Sequence, residues 1–138
     1  LKEFSKRISL HVKSLLSTVD CKPILETECE IDHTDISMKT IEMLRWFEPF
    51  GKGNVVPAFI CRNVPILEKG TVGAEKQHLK LKVQANGSVI DCIGFRLGEF
   101  SGKLQDAKYV DLVCEIEEDT WRGNKKIQLK IQDFEVVK

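Results

Sequence analysis

The chain has 138 residues, of which 42% are hydrophobic and 30% are charged, and its formal net charge is zero. This length suits one ordinary domain, or a small domain with an attached helical piece, and the hydrophobic content excludes a disordered chain. Because positive and negative residues balance, a surface for a polyanion must come from a local cluster of basic residues.

The cysteines indicate a reducing compartment. The five of them are scattered and form no C-x-x-C pair: Cys21, Cys29, Cys61, Cys92 and Cys114. An odd number of cysteines among apolar neighbours is typical of reduced core thiols in a cytosolic protein. No apolar run approaches the length of a membrane span. We therefore predict a cytoplasmic protein without membrane contact, and the start at Leu1, inside a helical pattern, indicates a piece of a longer protein.

The N-terminal third predicts two helices. Apolar residues recur every three to four positions over residues 2–17, as on one face of a helix: Phe4, Ile8, Val12 and Leu15. A short strand is predicted within residues 24–31. A second helix follows, capped by Thr34, Asp35 or Ser37, and must end near Pro49. Its predicted apolar face consists of Met38, Ile41, Leu44 and Phe47.

A dense run of turn-forming residues follows the second helix. Residues 49–57 read Pro-Phe-Gly-Lys-Gly-Asn-Val-Val-Pro, and we predict a linker there between a helical leader over residues 1–48 and a β domain over residues 58–138. The linker is either a hinge, because its glycines permit unusual backbone angles, or a rigid turn pinned by Phe50 and Phe59. The residues assigned to this interdomain turn are Phe50, Gly51, Gly53 and Asn54.

Beyond residue 58 the hydrophobic period becomes that of strands. The clearest strand covers residues 78–84, where Leu79, Leu81 and Val83 alternate with residues that face the other way: His78, Lys80, Lys82 and Gln84. Asn86-Gly87 is typical of a two-residue hairpin. The other predicted strands cover 58–67, 89–95, 110–116 and 126–137, with a short helix within 97–107. This order predicts a mainly β (α+β) chain, namely a five-stranded OB-fold barrel preceded by two helices.

The best acidic cluster is Asp32-His33-Thr34-Asp35. Two carboxylates and an imidazole suit Mn²⁺, which would make the chain a small enzyme that acts alone through Asp32, His33 and Asp35. The favoured interpretation is a helix-capping turn, because carboxylates are stabilised at a helix N-terminus. No metal-ligand spacing, nucleophile motif or phosphate loop is found. We therefore predict neither a catalytic residue nor a metal site in this chain.

Basic and aromatic residues in the β domain favour nucleic-acid binding. Outward lysines on two predicted strands could form a basic stripe: Lys80, Lys82, Lys126 and Lys130. The loop before the last strand adds Trp121 and Arg122, with Lys125 close by. Single-strand binders stack bases on such aromatic residues and follow the phosphates with basic ones. The alternative is that the lysines are ordinary solvated positions and that Trp121 packs on the barrel.

Four motifs occur in the order and spacing of those of one protein family. Glu48-Pro-Phe-Gly-Lys-Gly-Asn54 with Pro57-Ala-Phe59 is similar to the family segment PFG-x-GN-x-x-P-x-F. His78-Leu-Lys-Leu81 and Asp91-Cys-Ile-Gly-Phe95 are similar to two family strands. Trp121-Arg-Gly123 with Gln128-Leu129 and Asp133 is similar to the pattern W-x-G…QL…D. Together the motifs cover about residues 46–134, and they resemble the RecJ-like family of bacterial single-stranded-DNA-specific 5′→3′ exonucleases, which belongs to the DHH phosphoesterase superfamily.

The resemblance implies a C-terminal fragment of a repair and recombination exonuclease. Residues 1–48 would be the end of a DHH-associated domain with its connecting helix, and residues 58–138 the OB domain. The implied catalytic site, with Mn²⁺ or Mg²⁺, would lie in an upstream domain. The implied partner is single-stranded DNA, with replication or repair proteins such as a single-strand-binding protein as further partners. The rival interpretation is a barrel that mainly docks such proteins.

Overall fold

A computed structural model of the chain describes residues 2–16, 24–120 and 125–137. Two α-helices precede the barrel: α1 (Lys2–Leu16) and α2 (Met38–Leu44). Six strands follow the order β1 (Cys29–Ile31), β2 (Phe59–Val72), β3 (His78–Ala85), β4 (Ser88–Gly94), β5 (Tyr109–Asp119) and β6 (Lys126–Val136). Short 3₁₀ helices cover His33–Asp35, Arg45–Phe47 and Gly98–Leu104.

Five of the strands close into a barrel. The strand order is β1-β2-β3-β4-β6-β5, and a further pairing of β2 with β5 completes the ring. The β4–β6 pairing is parallel, and the other four pairings around the ring are antiparallel. The short strand β1 lies outside the ring and runs parallel to β2. The predicted OB-fold barrel with a helical leader is confirmed, with the 3₁₀ helix Gly98–Leu104 where a short helix was expected.

Alternation along the strands fills the barrel. On β3, Leu79, Leu81 and Val83 are completely buried, whereas the residues between them face outward. Strands β5 and β6 repeat the pattern with the buried residues Val110, Leu112, Cys114, Ile116, Leu129 and Ile131. Burying each large aliphatic side chain contributes about 1.5–3 kcal/mol relative to leaving it exposed. The period of two read from the sequence therefore fixes which lysines reach the outer surface.

A tight turn joins β3 and β4. Asn86 and Gly87 have φ angles of 48° and 69°, as a two-residue turn of type I′ requires, and this confirms the predicted hairpin.

Lys69 of β2 extends its ammonium group to the end of the Gly98–Leu104 helix. Its Nζ donates hydrogen bonds to the carbonyls of Leu104, Gln105 and Ala107 at 2.6, 2.6 and 3.1 Å. The ammonium group thus lies at the C-terminal end of the helix, where the carbonyls favour a positive charge.

The helical leader differs from its prediction in two respects. The strand predicted within residues 24–31 is limited to Cys29–Ile31, because only these residues pair with β2. The apolar face of α2 ends at Leu44, since the chain tightens into a 3₁₀ helix and leaves Phe47 64% exposed. Ser37 is the cap among the three predicted candidates, and its Oγ accepts a hydrogen bond from the backbone N–H of Thr40 at 3.3 Å.

The burial of the cysteines also differs from the prediction. Cys61, Cys92 and Cys114 are buried in the barrel, whereas Cys29 is exposed at the edge strand β1. The assignment as core thiols is therefore wrong for Cys29, and Cys21 lies outside the described residues. Burial raises the pKa of the Cys92 thiol well above its ordinary value, which favours an inert neutral thiol.

Packing continues across the predicted linker. Ile36 and Ile41 precede residues 49–57 and are 1% and 5% exposed, and both belong to the hydrophobic cluster that fills the barrel. In contrast, α1 buries none of its residues. The domain boundary at residues 49–57 stays a prediction, and a truncation that tests it is described below. Within the described residues, no helix is both long and apolar enough to span a membrane.

Candidate nucleic-acid interface

Three predicted lysines lie together on the outer surface of the barrel. Lys80 of β3 is opposite Ile93 of β4, which is opposite Lys130 of β6. In the next outward-facing row, Lys82 is opposite Asp91. We call this surface of β3, β4 and β6 the lysine face. It includes the strand pair that OB-folds use for oligonucleotides, which is β3–β4 in this chain.

Each of these lysines is paired with a carboxylate. The Nζ of Lys80 is 3.9 Å from Asp91, and the Nζ of Lys82 is 2.8 Å from Glu68. The hydrogen bond to Glu68 is the main reason why the pKa of Lys82 is raised. Ion pairs this exposed are worth about 0–1 kcal/mol. Breaking either ion pair would therefore cost little.

Lys130 is held more firmly than the other two lysines. Its Nζ is 3.0 Å from Oε2 of Glu115, whose side chain is only 13% exposed. The other oxygen of Glu115 accepts a hydrogen bond from Nε2 of Gln132 at 2.6 Å. Removing Lys130 would leave a largely buried carboxylate without its cation, which is costly. Lys130 therefore has a structural role besides any contact with a ligand.

The basic loop before β6 is described in part. Lys126 is exposed and forms no ion pair with a described residue. The Nζ of Lys125 lies 3.6 Å from Oε1 of Glu118. Trp121 and Arg122 lie outside the described residues, so their place on this surface stays a prediction.

An acidic edge borders the lysine face along β5. Burial raises the pKa of the Glu117 carboxyl, and the neighbouring charges of Glu115 and Asp119 add to this effect while Lys130 opposes it. Glu118 is 7% exposed and forms an ion pair with Arg45, which follows α2. A cleft of about 410 Å³ separates this edge from α2 and the following turn. These carboxylates would repel a polyanion along the β5 edge.

The predicted interdomain turn is a compact structure stabilised by its own hydrogen bonds. Gly51 and Asn54 exchange backbone hydrogen bonds of 2.8 and 3.1 Å, and Gly53 has a φ of 86°, which favours glycine. The Nδ2 of Asn54 donates to the carbonyls of Phe47 and Pro49, and Phe50 lines the cleft beside β5. These residues stabilise the turn that connects α2 to the barrel, and none of them lies on the lysine face.

The acidic cluster before α2 is a cap. Oδ1 of Asp32 accepts hydrogen bonds from both the backbone N–H and the hydroxyl of Thr34, each at 2.8 Å. The backbone hydrogen bond is the main cause of the lowered pKa of Asp32. In residues 2–16, 24–120 and 125–137, no group of three His, Cys, Asp or Glu side chains could hold a metal ion. Asp32 is therefore engaged in capping the turn that precedes α2.

Sequence reasoning overlooked two rings at one end of the lysine face. His78 is the first residue of β3 and Phe95 follows the last residue of β4, and their ring centroids are 5.2 Å apart. Phe95 is 55% exposed. The sequence indicates that His78 faces outward, since it alternates with the same buried residues as Lys80. It does not show that Phe95 lies beside His78, because that contact depends on the register of the hairpin.

The sequence matches a family model, described as the RecJ OB domain, over residues 27–133. Two relatives are named single-stranded-DNA-specific exonuclease RecJ. The Bacillus subtilis protein is 27% identical over 134 residues, which cover 97% of this chain and 17% of that protein. The Haemophilus influenzae protein is 25% identical over 116 residues, which cover 83% of this chain and 20% of that protein. The chain thus spans only about a fifth of the length of these relatives.

A solved structure has the same fold. The crystal structure of RecJ in complex with Mn²⁺ from Thermus thermophilus is similar to the whole chain with a TM-score of 0.69 and 16% identity. This chain covers 20% of that structure. The likeness extends over the helical leader as well as the barrel.

Proposed function

Because this chain belongs to the RecJ OB-domain family, we propose that it is the part of a longer 5′→3′ single-stranded-DNA exonuclease that holds the DNA strand. The observation that carries the proposal is the lysine face, which lies on the β3–β4 surface that OB-folds use for oligonucleotides. Lys80 and Lys82 sit on this surface in ion pairs that a phosphate can displace. The parent protein would act in DNA repair and recombination in the bacterial cytoplasm.

Cleavage itself would take place outside this chain. Hydrolysis of phosphodiesters by two metal ions needs several carboxylates or imidazoles that converge on ions about 4 Å apart, and the described residues hold no such group. The Thermus thermophilus relative was crystallised with Mn²⁺. We therefore propose that Mn²⁺ or Mg²⁺ serves a catalytic domain upstream, and that the barrel guides the strand toward it.

The loop between β5 and β6 would be a platform for bases. In an OB-fold this loop overhangs the binding face, so Trp121 can stack on a base while Arg122, Lys125 and Lys126 reach phosphates. Stacking on an aromatic side chain is worth about 1–3 kcal/mol per base. Lys126 is exposed and would extend this platform toward the lysine face.

Fluorescence anisotropy with labelled oligo-dT tests the proposal. The chain without substitutions, called the parent chain, should bind oligo-dT with an affinity that falls as the salt concentration rises, because counterions leave the phosphates on binding. Trp121→Ala should weaken binding about 5- to 150-fold, as expected from the loss of one stacked base. Trp46→Ala is the matched control, because Trp46 is 88% exposed and precedes the barrel. Absence of binding by the parent chain at low salt would contradict the proposed function.

A second candidate function is the docking of replication or repair proteins, such as a single-strand-binding protein. It is favoured by exposed apolar side chains around the end of α2, where Met43, Trp46 and Phe47 are 58%, 88% and 64% exposed. Such side chains are enriched at the centres of protein interfaces. Trp46→Ala distinguishes the two functions, since it should weaken protein docking and leave oligo-dT binding unchanged.

A further inference from the structure

We propose that Phe95, supported by His78, is a second stacking platform for a base of single-stranded DNA, with Lys76 and Arg96 as its phosphate contacts. The inference rests on the proposed function and deepens it by naming residues at the end of the lysine face away from the start of β6. Phe95 is 55% exposed and directly follows the last residue of β4.

The two rings are held in fixed positions. Leu79 is paired with Gly94, so that His78 and Phe95 lie side by side on the outward surface. Their rings meet edge to face, with centroids 5.2 Å apart and planes at 71°, which is a favoured arrangement of aromatic groups. The Nδ1 of His78 accepts a hydrogen bond from the backbone N–H of Arg96 at 3.1 Å. This bond orients the imidazole, and the imidazole in turn supports the Phe95 ring.

Two cations beside the rings are available for phosphates. Lys76 and Arg96 are exposed, and neither forms an ion pair with a described residue. They differ in this respect from Lys80, Lys82 and Lys130, which are paired. Both line a groove of about 500 Å³ at this end of the barrel. Glu75 and Glu99 line the same groove, so the attraction for a phosphate is confined to the immediate surroundings of the two cations.

The backbone that carries these cations is held in an uncommon conformation. Lys76 and Arg96 have φ angles of 55° and 61°, in the left-handed region that non-glycine residues rarely adopt. Gly98 lies directly against this loop, and its N–H donates to the carbonyl of Gln77 at 3.0 Å. Strained backbone that is held by its surroundings clusters at binding sites. The backbone at Lys76 and Arg96 is therefore held in place, which determines where both side chains leave the loop.

The position suits one strand that crosses the lysine face. Asp91 is opposite Gln128, so the start of β6 lies at the end of the face opposite to Phe95. Phe95 is four positions beyond Asp91, which is about 13 Å along an extended strand. The lysines Lys80 and Lys82 lie between the two ends. A DNA strand with bases stacked at both ends of the face would thus have cations along its whole path, as in other single-strand binders.

An exposed phenylalanine alone would carry no such inference, because single apolar side chains are common on protein surfaces. Phe100 illustrates that case: it lies on the 3₁₀ helix beyond β4, is 37% exposed, and has the Nζ of Lys103 at 4.9 Å from its ring centre. Phe95 differs because it lies on the β3–β4 surface beside a fixed second ring. Phe100 is therefore the matched control.

The test measures binding of labelled oligo-dT, about 16 nucleotides long, to the whole chain. Phe95→Ala should weaken binding about 5- to 150-fold, whereas Phe95→Trp should retain it and Phe100→Ala should not change it. Lys76→Gln and Arg96→Gln should each lower the slope of log affinity against log salt by about 0.7. Circular dichroism melting should show that the Phe95 variants are as folded as the parent, because the side chain is mostly exposed.

The outcomes separate the inference from the proposed function. If the parent chain binds oligo-dT and folded Phe95→Ala binds equally well at two salt concentrations, the second platform is wrong while the proposed function stands. If the parent chain does not bind, both are wrong. If Phe100→Ala weakens binding as much as Phe95→Ala, the stacking site lies on the other side of the barrel end and the inference is also wrong.

Discussion

Asp111 of β5 holds the bend of β2 by accepting a hydrogen bond from the backbone N–H of Asn63 at 2.7 Å. Asn63 has a φ of 52° and lies where the pairing of β2 with β5 shifts register. The other carboxylate oxygen of Asp111 accepts a hydrogen bond from Nη1 of Arg62 at 2.8 Å. A bulge increases the local twist of a strand, so this carboxylate stabilises the curvature that closes the barrel.

This contact predicts a specific acid sensitivity. Burial raises the pKa of Asp111, but the hydrogen bonds from Asn63 and Arg62 outweigh it and leave the pKa below its ordinary value of 3.8. A lowered folded-state pKa gives stability that is present above pH 3.8 and is lost as the pH falls through the folded value. Asp111→Asn should therefore cost about 1 kcal/mol at pH 7 and lose less further stability on acidification than the parent.

Urea unfolding between pH 7 and pH 2.5 measures this effect. Asp106→Asn is the control, because Asp106 is an exposed carboxylate without an ion pair to a described residue. Equal acid sensitivity of the parent and Asp111→Asn would show that the bond to Asn63 does not contribute to stability.

Packing of Gly98 against the Lys76 loop predicts a large effect of one methyl group. A Cβ at Gly98 would lie 2.1 Å from the carbonyl oxygen of Lys76 and 2.7 Å from the carbonyl carbon of Gln77. Both are backbone atoms, so the loop must shift, and Gly98→Ala should destabilise the chain by about 1–3 kcal/mol. Gly102→Ala is the control, since a Cβ there meets nothing within 4 Å. Equal denaturation midpoints for the two variants would contradict this packing.

The barrel could be predicted from the sequence because its signals are local. Residues such as Leu79 and Leu81 alternate with lysines, and Asn86-Gly87 specifies its own turn. The pairs that neutralise the lysines were not predictable in the same way. Glu68 meets Lys82 and Glu115 meets Lys130 only through register and barrel closure, and no period along the chain encodes such contacts.

The contribution of the leader to the core was also hidden from the sequence. The 3.6-residue period showed that Ile41 belongs to an apolar helix face, but not which surface that face would cover. The strength of the turn signals at residues 49–57 favoured a boundary there, although Ile36 and Ile41 pack into the barrel. Composition marks where a chain turns and does not determine whether its two sides share a core.

A truncation pair tests the predicted boundary. We expect residues 58–138 alone to be less stable than residues 24–138, because the shorter fragment lacks Ile36 and Ile41 and exposes the core positions that they cover. Deleting a fully buried isoleucine side chain typically costs about 2–5 kcal/mol. Guanidinium unfolding of both fragments measures the difference. Equal stability would support the predicted domain division instead.

Thiol accessibility is a further test of the barrel. In a Cys21→Ser variant, Ellman's reagent should label Cys29 at once, whereas Cys61, Cys92 and Cys114 should react only after unfolding. These three residues are 0–1% exposed, and a buried neutral thiol is a poor nucleophile. Counting released thiolate with and without guanidinium gives the result directly. Fast labelling of more than one thiol in the native state would be inconsistent with a closed barrel.

The lysine face predicts that two of its lysines behave differently. Lys80→Gln removes a cation from an exposed pair, so it should lower the salt slope of oligo-dT binding by about 0.7 and leave stability within about 0.5 kcal/mol of the parent. Lys130→Gln should instead reduce stability, because Glu115 is largely buried and would lose its cation. Lys39→Gln, at an exposed position on α2, should change neither property. Salt titrations and urea unfolding of all three variants separate the two roles. If Lys80→Gln leaves the salt slope unchanged, the DNA strand does not cross the β3–β4 surface, and Lys80 stays paired with Asp91 when DNA binds.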